Sequence, residues 1–168
     1  VFENVDDASQ TVSDIIAAGI VPGALEMMDQ LITQAVEEAY HFGFPLDAGA
    51  VLIVELDGME DGVESQAVKV EAICRNNNAR EVRVAKDDTE RAELWKCRKR
   101  AFGAVGRISP NYITQDGVVP RSKLPEIMRF IRATSEKHNL RIPNVFHAGD
   151  GNIHPLILYD ERKPGETK

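Results

Sequence analysis

The sequence is short of cysteine, tryptophan and basic charge, and it has no long apolar run. Each shortage excludes a class of protein. The two cysteines, Cys74 and Cys97, stand far apart with no CxxC pair, which argues against a disulfide framework or a zinc knuckle and fits a reducing, cytoplasmic setting. With 20 Lys and Arg against 27 Asp and Glu, the formal charge is −7, so no basic face is left over for nucleic acid. No stretch approaches the ~18–20 apolar residues of a bilayer-spanning helix, so no membrane span is expected. Neither GxGxxG nor GxxxxGK[ST] occurs, which argues against a Rossmann or P-loop nucleotide site. What remains is ordinary for one domain: 168 residues, 43% hydrophobic and 28% charged, enough to bury a sizeable core.

The ends suggest a piece of a longer protein. Val1-Phe2-Glu3-Asn4-Val5 has no basic-then-apolar leader and reads as the tail of a strand. The run Tyr159 to Lys168 is charged, contains Pro164-Gly165, and reads as a loop or linker. The expected organisation is therefore a single truncated domain over residues 1–168.

Apolar spacing places five helices among several strands. Ala8, Val12, Ile15 and Ile16 form the stripe of a first helix, with Asp6 or Asp7 as N-cap and Gly19 as stop. A short strand follows within Ile20 to Met28, interrupted by Pro22-Gly23. Asp29 caps a second helix carrying Leu31, Ile32, Ala35, Val36, Ala39 and Tyr40, closed by Gly43. Ala50 to Leu56 is a β-branched strand, and Val63, Ala67, Val70 and Cys74 mark a third helix broken at Asn76-Asn77-Asn78. Val82 and Val84 alternate with charge, as in a short strand. A fourth helix runs from about Asp88 to Val105, a strand lies around Tyr112 to Val119, and a fifth helix starts at a Ser122 cap and stops near Asn139. With hairpin chemistry at the end and no repeated βαβ unit, the order predicts an α+β fold: an antiparallel sheet with helices packed on one face.

Chemistry concentrates in two places. Two of the four histidines bracket a turn cluster, His147-Ala148-Gly149-Asp150-Gly151-Asn152-Ile153-His154, with apolar runs on either side. Asp150-Gly151 is a strong signal for a two-residue type I′ hairpin loop, which would set His147 directly opposite His154. Opposed residues share a face with Cβ atoms ~4.5–5.5 Å apart, so the rings could converge on one divalent ion or act as proton donor and acceptor on one substrate. Asp150 and Asn152 could brace the turn or orient a ring nitrogen.

The second place is the fourth helix, where Leu94, Trp95, Ala101, Phe102 and Val105 form a stripe with Arg98 in its middle. A core-facing arginine is costly unless an anion pairs with it. It is then an inward cation awaiting a carboxylate ligand, a partner of an internal Asp or Glu, or a side chain that snorkels to the surface. Asp116, at a strand end, could brace Arg98 or a ligand. Trp95 defaults to the core, and Lys96, Lys99 and Arg100 form a solvated face.

Three segments together carry a resemblance: Leu94-Trp95-Lys96-Cys97-Arg98-Lys99-Arg100-Ala101-Phe102, Gln115-Asp116-Gly117-Val118-Val119-Pro120, and Phe146 through Pro155. The chain resembles the C-terminal domain of FAD-linked oxidases, nearest the large flavin subunit of glycolate oxidase and the D-lactate and D-2-hydroxyglutarate dehydrogenases. The resemblance implies a ferredoxin-like cap over a flavin held by a separate N-terminal domain, which this chain lacks. It implies oxidation of a 2-hydroxy acid to a 2-oxo acid with hydride passing to FAD. By the same resemblance His147 and His154 are catalytic residues and ligands of a divalent metal, zinc or manganese, and Arg98 and Asn152 bind substrate. The family's later Glu-His-Gly segment would lie past Lys168, leaving two metal ligands here, so the isolated fragment is expected to be inactive and its metal weak or absent. Expected partners are the substrate, the chain's own flavin domain and other subunits of an oxidase complex, in the cytoplasm or peripheral to a membrane. A non-catalytic small-molecule or metal-sensing module is the alternative, because ferredoxin-like folds host many functions.

Overall fold

A computed structural model describes residues 1–166. Local sequence signals account for most element boundaries. Helix α1 spans Val5–Ala17 and buries Ala8, Val12 and Ile15. Its N-cap is Asn4, whose side chain accepts from the Asp7 N–H; Asp6 and Asp7 instead lie in the first turn, where the helix dipole favours negative charge. Strand β1, Ala24–Asp29, starts after Pro22-Gly23 rather than being interrupted by it, since proline cannot donate to a ladder. Asp29 caps α2 (Gln30–Tyr40) by accepting from the Ile32 N–H, and left-handed His41 closes that helix two residues before Gly43. Strand β2 (Ala50–Glu55) and helices α3 (Glu60–Asn76) and α4 (Asp88–Val105) follow.

The expected strand at Val82 and Val84 does not form. The Val1 carbonyl accepts from the Arg80 and Glu81 N–H groups, and the N-terminal ammonium donates to the Glu81 carbonyl, so this segment staples the chain start instead of pairing in a ladder. The strand expected from Tyr112 to Val119 divides into β3 (Asn111–Thr114) and β4 (Gly117–Val118). Ser122 lies in a short 3-10 turn, Arg121–Lys123, and α5 (Leu124–His138) begins without a side-chain cap. Left-handed Asn139 ends α5, as its position predicts. Strands β5 (Asn144–His147) and β6 (Asn152–Tyr159) complete the fold, and turns follow from Glu161 to Glu166. Lys168 and its neighbour in the expected C-terminal linker lie outside the described residues.

All strand pairs are antiparallel, in the order β2-β1-β5-β6-β3, with β4 also on β6. The α+β class stands. The helices, however, lie on both faces of the sheet rather than one. Leu25, Met27, Phe146 and Ile153 face a core built with α1, α3 and α5, while Met28, Val145, Leu156 and Leu158 face a second core built with α2 and α4. A strand buried on both sides reads as a near-continuous apolar run, and Leu25-Glu26-Met27-Met28 is one, broken by a single glutamate.

Candidate functional site

Helix α4 starts at an Asp87 cap and lays Cys97, Ala101, Ala104 and Val105 into the second core. These small and medium residues let its backbone come close to α2. Leu94, Trp95 and Phe102 are only half-buried, so the inner face is rotated relative to the expected stripe. Arg98 points inward all the same and is only 9% exposed. Its Nε donates to Glu26 Oε2 at 2.8 Å, which realises the internal-acid alternative. Among the described residues no other hydrogen bond reaches the guanidinium, and its terminal nitrogens are left for a ligand.

Glu26 is the broken position in β1 and is buried. Its second oxygen, Oε1, lies 2.6 Å from His147 Nδ1. One carboxylate therefore joins a helix-borne cation to a hairpin imidazole. The pairing follows from sheet order, because Glu26 stands directly opposite His147 across the β1–β5 ladder.

The hairpin register differs from the expected one. His147 pairs with Asn152 and Val145 with His154, so the loop has four residues, Ala148 to Gly151, rather than two. A type I′ turn needs positive φ at both central residues, and only Gly151 has it, at 72°. The Asp150 N–H instead closes a turn onto the His147 carbonyl at 3.1 Å. Gly151 is also where the β4 segment comes closest. Its carbonyl accepts from the Val119 N–H at 2.9 Å, and a Cβ there would lie 2.0 Å from the Val119 oxygen.

A slip of one residue would have sent one ring to the opposite face, whereas a displacement of two preserves the face. The imidazoles of His147 and His154 thus remain neighbours, centroids 5.3 Å apart and edge to face. Phe102 packs 6.4 Å from the His154 ring, and the Arg98 guanidinium lies 5.9 Å from the Phe102 centroid. Asp116 sits 3.4 Å from His154 Nδ1 and is largely solvent-exposed; it braces this histidine and not Arg98. Burial holds the His154 ring below its ordinary pKa, with His147 and Arg98 pushing the same way and Asp116 and Glu26 opposing. That direction favours the neutral ring.

Asn152 shares the transverse row Glu26, His147, Asn152. Its Oδ1 is buried with no hydrogen-bond partner among the described residues. An acceptor stranded beside two imidazoles and a buried cation is what a polar ligand would satisfy. Glu26 is the member that the sequence analysis missed. Its signal was available: a lone carboxylate in an apolar strand is the mirror image of the lone arginine on the apolar face of α4.

Among the described residues no group of three or more His, Cys, Asp and Glu side chains is placed to hold a metal ion. The two imidazoles are a pair of donors, not a closed metal cage. With Nδ1 of His147 engaged by a carboxylate, its Nε2 is the nitrogen left to ligate, so the pair fits part of a divalent site. A separate cavity of about 300 Å³ lies between β2, α3 and the start of α4, lined by Leu52, Val54, Val63, Val70, Val82 and Trp95. Glu55, Glu81 and Arg91 also line it, and it contains none of the candidate residues.

The chain has clear relatives among known proteins. The family described as "FAD linked oxidases, C-terminal domain" matches residues 1–168. The chain is 50% identical over 165 residues to the glycolate oxidase subunit GlcD of Escherichia coli K12, covering 98% of this chain and 33% of that protein. It is 40% identical over 167 residues to GlcD of Bacillus subtilis, covering 99% and 36%. A probable mitochondrial D-lactate dehydrogenase of Danio rerio is 29% identical over 170 residues, covering 99% and 34%. The chain thus spans about a third of the length of these relatives. Among solved structures, an alkyldihydroxyacetonephosphate synthase shares the fold, with a TM-score of 0.66 at 16% identity over 93% of this chain and 34% of the other. No helix among the described residues is long and apolar enough to cross a membrane.

Proposed function

The chain belongs to the family of FAD linked oxidases through their C-terminal domain, and from that premise we propose that it is the substrate-binding cap of a flavin-dependent 2-hydroxy acid oxidoreductase of glycolate or D-lactate type. The observation that carries this reading is the buried Arg98 guanidinium, with its terminal nitrogens unused, in one set with two imidazoles and the unpartnered Asn152 oxygen. A 2-hydroxy acid has a group for each: a carboxylate for the cation and a hydroxyl for the histidines and the amide.

Arg98 holds the substrate carboxylate through paired charge-assisted hydrogen bonds, which Glu26 permits by occupying only Nε. Asn152 Oδ1 accepts from the substrate hydroxyl and fixes the face of Cα that is presented. That hydroxyl has a single hydrogen, which rests on Asn152 Oδ1 in the bound substrate and passes to a ring nitrogen of the neighbouring His147–His154 pair as hydride leaves Cα; burial lowers the His154 pKa and so favours its unprotonated ring. The oxidation removes a hydride from Cα and a proton from the hydroxyl, leaving a 2-oxo acid. FAD, bound by the remainder of the parent protein, supplies the hydride acceptor. His147 and His154 would be the residues to hold a divalent ion such as zinc or manganese, which would supply Lewis-acid chemistry there. In this proposal the parent carries its flavin on an N-terminal domain and acts in the cytoplasm with other oxidase subunits; the word "subunit" in the names of the GlcD relatives supports the last of these.

Replacing His147 by Ala in the full-length flavoprotein tests the reading. Turnover with a 2-hydroxy acid such as glycolate falls by at least about 100-fold, while FAD content stays that of the wild type. Wild-type turnover contradicts it.

A further inference from the structure

We propose that Glu26 is a positioning residue that sets the tautomer of His147 and thereby decides which ring nitrogen faces the substrate. The inference rests on the reading of His147 as a site residue but concerns a group that acts through its neighbours, His147 first and Arg98 beside it. Glu26 is buried, stands directly opposite His147 across the ladder, and divides its two oxygens between Arg98 Nε at 2.8 Å and His147 Nδ1 at 2.6 Å.

The donor inventory forces the rest. Arginine has no acceptor, so its Nε–H takes one carboxylate oxygen as a donor. An ionised carboxylate is itself acceptor-only, so His147 Nδ1 must carry a proton to bond the other oxygen. In the neutral ring that leaves Nε2 with its lone pair exposed, the form needed to bind a metal ion or accept a proton. Glu26 also holds the guanidinium by one edge, so its Nη fork stays turned toward the ligand. One buried side chain thereby orients both recognition groups. The two contacts join residues 72 and 121 positions apart in sequence, so neither is a by-product of local helix or hairpin geometry.

The substitution Glu26→Gln separates this role from simple packing, because it keeps the shape and removes only the second acceptor. Arg98 still demands an oxygen, so the amide oxygen turns to Nε and the amide NH2 turns to His147. Nδ1 must then accept, and the proton moves to Nε2. The variant reverses the tautomer with every heavy atom in place.

Imidazole 15N spectra of the histidine-labelled chain, in mildly alkaline buffer, read this directly, since only four histidines contribute. In the wild type His147 is protonated at Nδ1, and in Glu26→Gln at Nε2. Titration with Zn2+ alone gives binding about 10–100-fold weaker in the variant, the range typical for loss of an outer-shell partner. In the holoenzyme kcat falls more than KM rises, because Arg98 keeps its anchor. A wild-type ring protonated at Nε2, or the same tautomer in both proteins, overturns the proposal. The wild-type spectrum decides the first point even where the variant does not fold. A tautomer that switches as described while holoenzyme turnover is unchanged upholds the positioning role and counts instead against His147 in catalysis.

Discussion

The two faces of the sheet are built from the same strands but for different ends. On the α1, α3 and α5 side, the inward residues Leu25, Met27, Phe146 and Ile153 meet Val12, Ile15, Val70, Leu124 and Ile131 of those helices. On the α2 and α4 side, the same strands turn Glu26, His147 and His154 inward, and α4 answers with Arg98 beside its small apolar residues. The first face gains stability from dry packing. The second accepts the desolvation of an ion pair, which is weak evidence of stability and is often no better than a hydrophobic replacement. On the function proposed above, polar groups are kept there because a carboxylate-binding site needs them, and the apolar face opposite holds the strands in register while they are there.

Several substitutions sharpen that contrast. The largest effect is expected from Phe146→Ala and Arg98→Leu, each costing about 3–5 kcal/mol of unfolding free energy in denaturant titrations, but for opposite reasons. The first leaves a cavity; the second leaves the Glu26 carboxylate buried without its cation. A second-site change tells them apart: adding Glu26→Met to Arg98→Leu recovers most of the lost stability without restoring turnover. Were the double variant as unstable as the single one, the polar face would be a stabilising element and the contrast would fail.

A smaller effect lies at the boundary between the two cores. Asp29 is fully buried, caps α2 through the Ile32 N–H and accepts two bonds from Asn144, yet burial still pushes its pKa up to about 6. The folded state therefore binds a proton that the unfolded chain has already released. Its contribution favours folding in acid, declines as pH rises from about 4 to about 6, and is constant above. The difference in unfolding free energy between wild type and Asp29→Asn should change by about 2–3 kcal/mol across that window. A difference that does not vary with pH contradicts the assignment.

Gly151 gives a further test confined to the site loop. Replacement by Ala costs more than about 1 kcal/mol, because φ is positive there and Val119 blocks the Cβ. The site should suffer with it, read as weaker Zn2+ binding. Smallest of all is Phe130→Ser on the outer surface of α5, where the ring is 65% exposed; its thermal midpoint should match the wild type, with stability within about 0.5 kcal/mol.

The sequence made the local features legible. The Asp29 cap, the bounds of α4 and the left-handed stop at Asn139 depend on residues within a turn of one another, and they stand where they were expected. The inward turn of Arg98 was readable from helical phase, although the small residues Cys97 and Ala104 displaced Leu94 and Trp95 from the inner face. What was not legible depends on tertiary pairing. The loop chose a turn with one left-handed residue in place of two, because the Gly151 carbonyl is engaged by Val119. Glu26 became part of the site only because β1 lies next to β5, a neighbour relation no short window contains. The helices divided between two faces because strands apolar on both sides have two surfaces to cover.

The central claim is that the polar face receives the carboxylate of a 2-hydroxy acid. Arg98→Lys in the full-length flavoprotein tests it most directly, since lysine keeps a cation for Glu26 but has no second edge for the substrate. Anaerobic reduction of the flavin, followed against glycolate concentration, should show an apparent dissociation constant raised about 10-fold or more, with FAD content unchanged. An affinity equal to that of the wild type would mean that the substrate carboxylate binds elsewhere.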